Sequence, residues 1–334
     1  MNHILNQALD NFVSATGAAL KEEQSANKFI FDLPDGKGSV AMYTLFPGIY
    51  LSYYNINTFS LPDSDEGSGL RRFQFNYCMN GRIELSLEDG TYIYLKEHDF
   101  CITEQLSKNE SIFPTGLYEG IALTLDIDFM SSFNPFLFST FEIDFTSIQK
   151  LYSTEDKTYI SEAGEELSAI VNRLWLLYSD PSFFYMQIHS LEILYLLSHK
   201  KICAAKSCTF YTNIQVALAK KAEQILVSNM CSHIPIRLLA EQFSVSETSL
   251  KNYFKGVYGQ NISDYLRNLR METAAKLLFE TRLPISEISR QVGYNKPGKF
   301  SAIFKKYYKM SPLEYRRNKS LEASENFCIE IPLK

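Results

Sequence analysis

Two stretches of this chain carry one pattern, and that repetition limits the fold more than any other feature. IPIRLLAEQFSVSETSLKNYFKGVYGQNISDYLR (Ile234–Arg267) and SEISRQVGYNKPGKFSAIFKKYYKMSPLEYRR (Ser286–Arg317) align when Pro235 is set on Pro284. Ile236 then meets Ile285, Leu239 meets Ile288, Phe243 meets Val292 and Ser244 meets Gly293, at a separation of 49 residues. Past the turn the separation becomes 50: Leu250 meets Phe300, Phe254 meets Phe304, Lys255 meets Lys305, Tyr258 meets Tyr308 and Tyr265 meets Tyr315. The second turn is one residue longer.

Each copy reads as a short helix, a turn and a longer helix with a basic, polar outer face. Proline in the first turn is tolerated because its missing N–H has no partner there. In the first copy Leu239, Ala240, Phe243, Val245, Leu250 and Tyr253 have the core spacing of a helix–turn–helix, with Ala240 small enough for a close crossing. Ser246 is placed to cap the longer helix. Gly293 occupies the second turn, where a positive φ is often required. Between the copies, SDYLRNLRMETAAKLLFE (Ser263–Glu280) predicts a continuous helix started by Ser263, spanning ~25 Å at ~1.5 Å per residue. Ser311-Pro312-Leu313-Glu314 predicts a capping box with proline at the first helical position.

Charge separates this region from the rest. Of the chain's 33 Lys and Arg and 38 Asp and Glu, 18 and 8 fall between Asn213 and Lys319, a net of +10 against −15 for the remainder. A basic module joined to an acidic one suits a polyanion-binding end and a separate end that does not touch the polyanion.

The first half alternates like strands. RIELSLEDGTYIYL (Arg82–Leu95) places apolar residues on either side of Asp89-Gly90, a dipeptide favoured in two-residue hairpin turns with positive φ. Asn80-Gly81 predicts another such turn after Arg71–Met79. Further β-rich runs are Val40–Phe46, Ile49–Ile56, Asp99–Glu104 and Tyr118–Ile127, a spacing that means a sandwich or small barrel. After about residue 160 the period changes: Glu162–Tyr178 and Phe183–Lys200 predict two amphipathic helices parted by Asp180-Pro181. They can cover the sheet or pair with a second copy of the chain. Ile202–Thr212 reads as a linker.

The 334 residues suggest two domains at ~100–200 residues each. No apolar stretch approaches the ~20 residues needed to cross a bilayer, and MNHILNQALDNF lacks the basic start of a secretory signal. Cys78, Cys101, Cys203, Cys208, Cys231 and Cys328 form no C-x-x-C pair, so reduced thiols in a cytoplasm are expected.

Residues 213–318 resemble the DNA-binding domain of AraC/XylS-type transcriptional regulators. The resemblance rests on Leu250–Lys255 as L-x-x-x-F-K, Arg270–Leu278 as R-x-x-x-A-A-K-L-L, Gly293–Lys305 as G-Y-x-x-x-x-x-F-x-x-x-F-K, and Ser311–Arg316 as S-P-x-E-Y-R. It implies an α+β chain with a β-barrel, cupin-like sensor over residues 1–160 and a helical dimerisation region over 161–212. A tandem helix–turn–helix reader at 213–318 and a tail at 319–334 follow. It also implies transcription control, usually activation, by a cytoplasmic homodimer on double-stranded DNA half-sites about one helical turn apart. A small-molecule effector is expected without being identified, and RNA polymerase is a further partner. Within the family, NYCMNGRIEL and GTYIYLKEHDF are most similar to regulators that respond to iron–siderophore complexes.

Carried over by position, the base-facing residues are Thr248, Lys251 and Asn252 in the first copy and Pro297, Gly298, Lys299 and Ala302 in the second. The family often has arginine where Asn252 and Ala302 stand, so more base readout is expected from the first copy, with Lys299 the second's best candidate. Lys255, Lys296, Lys305 and Lys306 suit phosphate, which positions without specifying sequence.

Catalysis has little to build on. Cupin enzymes hold metal through a close His-x-His pair, and His3, His98, His189, His199 and His233 include none. No cofactor, metal or catalytic set is expected; a reactive thiol at Cys78 or Cys101 and a cupin-type enzyme fused to a DNA-binding domain remain as alternatives. A ligand-independent architectural DNA-binding protein is another. The tail's alternating Phe327, Ile329 and Ile331 suggest an added strand.

Overall fold

The β-rich runs of the first half become one antiparallel sheet system, and the described residues from Asn213 onward form helices and their turns. The computed structural model describes residues 3–23, 26–62, 72–87, 89–103, 111–126, 135–152, 158–199, 209–232 and 234–325. The chain divides into two compact units, Met1–Asn213 and Ile214–Lys334.

The first unit opens with helix α1 (His3–Thr16) and strands β1 (Ala19–Glu23), β2 (Ala26–Leu33), β3 (Gly36–Phe46), β4 (Ile49–Asn57) and β5 (Ser60–Leu61). It continues through β6 (Arg72–Ser86), β7 (Thr91–Lys96), β8 (Asp99–Thr103), β9 (Ser111–Ile112) and β10 (Tyr118–Asp126). Helices α2 (Pro135–Thr140) and α3 (Phe145–Tyr152), strand β11 (Thr158–Glu162), helices α4 (Glu165–Leu176) and α5 (Phe183–Ser198) and strand β12 (Tyr211–Thr212) complete it. Neighbours run β1-β2-β3-β4-β10-β6-β7-β12, with β8 joining β6 to β11 and β9 joining β6 to β5.

Strands β4 and β10 are buried along most of their length, because both faces of the sheet are covered. On one face Phe29, Phe31, Ile56, Leu95, Phe113 and Tyr118 form a core closed by Phe12 of α1. On the other, Leu51, Tyr53, Phe73, Phe75, Phe100 and Leu123 meet Leu167, Ile170, Val171 and Leu174 of α4 and Ile193, Leu194 and Leu197 of α5. Polar side chains fasten that layer: the Tyr53 hydroxyl donates to the Leu174 carbonyl at 2.8 Å and Gln187 Nε2 to the Leu45 carbonyl at 2.7 Å. The two amphipathic helices thus lie where their apolar faces demand. They still expose Leu176, Phe184, Tyr185 and Ile188 on the far side.

Three local expectations are corrected. Asn80-Gly81 is no hairpin turn: β6 runs through it for 15 residues. There the register against β10 shifts, Glu119 facing Asn80 while Gly120 faces Cys78, so the extra residue is a β-bulge. Gly81 has φ 80°, and a Cβ there would lie 2.0 Å from the Leu117 carbonyl oxygen. Past the bulge the same strand leaves β10 for β7. The Asp89-Gly90 turn is not the two-residue type either, since only Gly90 takes a positive φ, at 80°. Leu87 N–H donates to the Thr91 carbonyl at 2.9 Å, and Asp89 Oδ1 accepts from Thr91 N–H at 2.7 Å. The expected linker ends not as loop but as β12, pairing Tyr211 with Tyr92 and Thr212 with Thr91. Phe327, Ile329 and Ile331 lie outside the described residues.

The second unit carries the repeat. Helices α6 (Asn213–Ser228), α7 (Ile236–Gln242), α8 (Glu247–Tyr258), α9 (Ile262–Glu280), α10 (Ile285–Gln291), α11 (Pro297–Tyr308) and α12 (Pro312–Glu325) follow in order. Pro235 and Pro284 are the caps just before α7 and α10 rather than first-turn residues. The joining helix begins one residue ahead of Ser263, with Asn261 as its cap. The aligned aromatics build the same cluster twice. Phe254 lies 4.6 Å from Tyr258 and 5.3 Å, edge-on, from Tyr265; Phe304 lies 4.7 Å from Tyr308 and 5.4 Å, edge-on, from Tyr315. Phe254, Phe300 and Phe304 are fully buried. One anchor belongs to the first cluster: Tyr265 donates to the Glu223 carboxylate at 2.7 Å. Burial first, and then Glu223, push that phenol well above the usual tyrosine range.

The turns match as well. Val245 N–H donates to the Ala240 carbonyl at 3.0 Å and Tyr294 N–H to the Ser289 carbonyl at 2.8 Å. Both turn residues are left-handed, Ser244 at φ 56° and Gly293 at φ 82°. Serine bears a steric cost there that glycine escapes. Ser244→Gly is therefore expected to raise the stability of this unit by about 0.5–1 kcal/mol, read as a higher midpoint of the helical transition on urea unfolding. An unchanged or lower midpoint would show that the left-handed serine carries no strain.

Candidate nucleic-acid interface

Both longer helices divide cleanly into a buried and an open face. In α8, Leu250 and Phe254 point into the core, while Thr248, Lys251, Asn252 and Lys255 are exposed. Those four sit at i, i+3, i+4 and i+7, one continuous stripe. In α11, Phe300 and Phe304 are buried while Pro297, Gly298, Lys299, Ala302, Lys305 and Lys306 are exposed, as is Lys296 just ahead. Every residue named from the sequence for base or phosphate is thus exposed, on α8 or α11 or, for Lys296, at the cap just ahead of α11.

The capping chemistry fixes where each stripe starts. Ser246 Oγ accepts from Ser249 N–H at 3.0 Å, holding the first turn of α8. Helix α11 has no side-chain cap and begins on Pro297, whose fixed φ suits that position. Ser311 and Glu314 form the reciprocal box: Ser311 N–H donates to Glu314 Oε2 at 2.7 Å and Glu314 N–H to Ser311 Oγ at 3.3 Å. Those bonds hold the Glu314 carboxyl below the usual glutamate range.

The two stripes differ in chemistry. Lys251 is not free in this state, since its ammonium lies 3.0 Å from Glu247 on the same face. An exposed pair of this kind is worth ~0–1 kcal/mol, so a stronger acceptor displaces it easily. In the sequence the spacing E-x-x-x-K at Glu247–Lys251 is the signal for this pairing. Gly298 faces open space and Ala302 adds only a methyl group, leaving α11 a small, weakly polar exposed surface ringed by lysines. At the end of α10, Arg290 grips Glu287 through contacts at 2.8 and 3.0 Å, which lowers the carboxyl's pKa.

Among the described residues no three His, Cys, Asp or Glu side chains gather as a metal site. His98 is a turn residue at φ 66° with its ring open to solvent beside Glu97. Cys78 and Cys101 are buried, and burial pushes the Cys78 thiol far above its ordinary range, the opposite of a reactive thiolate. His233, Cys203, Cys208 and Cys328 lie outside the described residues. No described helix is long and apolar enough to cross a membrane.

A family model described as "Helix-turn-helix domain" matches residues 239–318, spanning α8, both turns and α11. The lactose operon transcription activator of Staphylococcus xylosus is 36% identical over 100 residues, 30% of this chain and 36% of that protein. This region is an AraC-type DNA-binding domain. The HTH-type transcriptional activator RhaR of an Enterobacter is 31% identical over 104 residues, 31% of this chain and 37% of its own length. Among solved structures, the C-terminal domain of the response regulator yesN from Fusobacterium nucleatum is 35% identical, with a TM-score of 0.28, covering 29% of this chain and 97% of that one. The chain thus spans little more than a third of the length of these two curated relatives. The likeness to both relatives covers about the length of the AraC-type domain.

Proposed function

We propose that this protein is a sequence-specific transcription regulator of the AraC type, an activator and not an enzyme, with two helix–turn–helix readers. Helices α8 and α11 enter adjacent major grooves, on half-sites about one helical turn apart. What carries the reading is the duplication itself: matched aromatic clusters hold two helices that each present an open polar stripe. One reader covers a few base pairs; a second copy roughly doubles the site. Thr248, Lys251 and Asn252 supply most of the base readout, with Asn252 suited to adenine through a bidentate pair. Pro297, Gly298, Lys299 and Ala302 form the lesser reading surface, in which Lys299 donates and Ala302 meets a thymine methyl. Lys255, Lys296, Lys305 and Lys306 hold phosphate.

The first unit holds the sensor, cupin-like in its sheet, over residues 1–160 and a connector at 161–212 that joins it to the reader at 213–318. Its sheet core is filled by aromatic side chains, and a cavity of about 390 Å³ opens instead at α4 and α5. Phe141, Ile170, Ile188, Leu191 and Tyr195 line it together with Glu166 and Glu192. Apolar walls with two carboxylates, Glu192 already accepting from His189 at 2.6 Å, suit a small apolar effector bearing a positive charge. The exposed Leu176, Phe184 and Tyr185 nearby suit the same face of a second copy, which makes a homodimer. Effector occupancy then alters dimer geometry on DNA, in the cytoplasm and in contact with RNA polymerase.

Selection of bound duplexes from a random pool by the full-length protein tests this. Two boxes about 10 bp apart are expected, and affinity should fall steeply between two salt concentrations through counterion release. Salt-sensitive binding with no recovered motif would favour a constitutive architectural protein instead.

A further inference from the structure

The two copies are not equivalent at one place. Ser244 and Gly293 are the same turn position, and Ser244 carries its side chain on an exposed surface. At Gly293 a Cβ would stand 2.8 Å from the Met230 carbonyl oxygen and 2.9 Å from Arg270 Nη2. The second turn is therefore pressed against the segment that follows α6, and a guanidinium fills the junction.

Arg270 lies midway along α9. Its Nε and Nη2 donate to the Met230 carbonyl at 3.0 and 2.7 Å, and Nη2 also donates to the Ser232 carbonyl at 3.2 Å. On its other side the guanidinium stands 5.6 Å from the centre of the Tyr294 ring. One turn further along α9, Thr273 Oγ1 donates to Met230 Sδ at 3.7 Å, and the Cys231 thiol donates to the Gln291 carbonyl at 2.6 Å. A planar fork that bonds carbonyls on one edge and stacks on a ring is a task lysine does poorly.

We infer that Arg270 is the positioning residue that sets the spacing between the two readers. The inference rests on the two-reader proposal above. Tyr265 anchors the start of α9 in the first aromatic cluster, and Met271, Ala274 and Leu278 anchor its remainder in the second. Arg270 locks the joint between those anchorages, tying the chain end of α6 to the turn that launches α11. Any rotation of one copy against the other about α9 breaks its three hydrogen bonds.

The test compares full-length protein and its Arg270→Ala and Arg270→Lys variants on three duplexes: both selected boxes, one box scrambled, and both boxes shifted by a single base pair. Arg270→Ala should lose about tenfold on the two-box duplex, approaching its one-box affinity, because the second contact loses its effective concentration. Its one-box affinity should stay within about twofold, and it should no longer penalise the shifted spacing. Arg270→Lys should fall between, which keeps the test decisive where the alanine variant folds poorly. Equal losses on all duplexes with the spacing preference intact would overturn the inference. Amide exchange supplies a readout without DNA: Gly293 and Tyr294 N–H, bonded to Arg290 and Ser289 carbonyls, should exchange faster in both variants. A wild type indifferent to the second box would sink the two-reader proposal alone; unchanged exchange at Gly293 and Tyr294 would sink the role of Arg270.

Discussion

Replacing Asn252 by alanine is expected to lower affinity for the selected duplex by about 5- to 150-fold, the ~1–3 kcal/mol that one bidentate base pair contributes. The side chain sits at the centre of the α8 stripe, between Thr248 and Lys255, with its amide open to solvent. Its exposure leaves the core of the helix to Leu250 and Phe254, buried on the opposite face. The loss should be confined to duplexes carrying the preferred base at one position, and the preference there should vanish. Lys255→Ala offers the contrast, weakening all sequences alike and reducing the salt slope by about one. Fluorescence anisotropy on the selected duplex and its single-position variants separates the two. A loss spread evenly over every sequence for Asn252→Ala would show that this side chain positions rather than reads.

The second large effect concerns stability. Phe304→Ala should cost about 3–5 kcal/mol, the usual range for emptying a fully buried aromatic site. Phe304 lies 5.6 Å from Phe300, 4.7 Å from Tyr308 and 5.4 Å from Tyr315, so its removal leaves three rings facing a void. The protein supplies its own control, because its sole tryptophan, Trp175, belongs to the first unit. Far-ultraviolet ellipticity at helical wavelengths should show an earlier transition in urea, while the tryptophan emission transition holds its midpoint. Phe254→Ala should behave alike. A shift below about 1 kcal/mol in either variant would mean the clusters are loosely packed and fill their own cavities.

The repeat was the most legible part of the chain, because burial of one ring at a helical position forces its aligned partner into the same place. Phe254 and Phe304, Tyr265 and Tyr315, and the capping box at Ser311 could all be read from spacing alone. The strands β3, β4, β7, β8 and β10 were legible for a similar reason, since each is a β-rich run bounded by turn residues. Asn80-Gly81 misled because a glycine with positive φ serves a hairpin and a bulge equally well, and only the pairing of β10 across it decides between them. β12 was hidden because two residues carry no periodicity. The Lys251–Glu247 pair is within reach of spacing, since the two stand four residues apart on one helix. The Arg270 joint was beyond it: backbone carbonyls at Met230 and Ser232 have no residue signature, so no sequence pattern announces that a guanidinium will find them.

The twin aromatic clusters have a consequence for how such a protein changes over generations. Each reading stripe is carried by a foundation of its own, so altering the letters on one surface leaves the other surface's support untouched. On the two-reader proposal, half of a recognition site can then drift while the remaining half holds the molecule on DNA. A regulator built from interchangeable parts is able to move to a new target in two small steps, where a single undivided reader would have to leap.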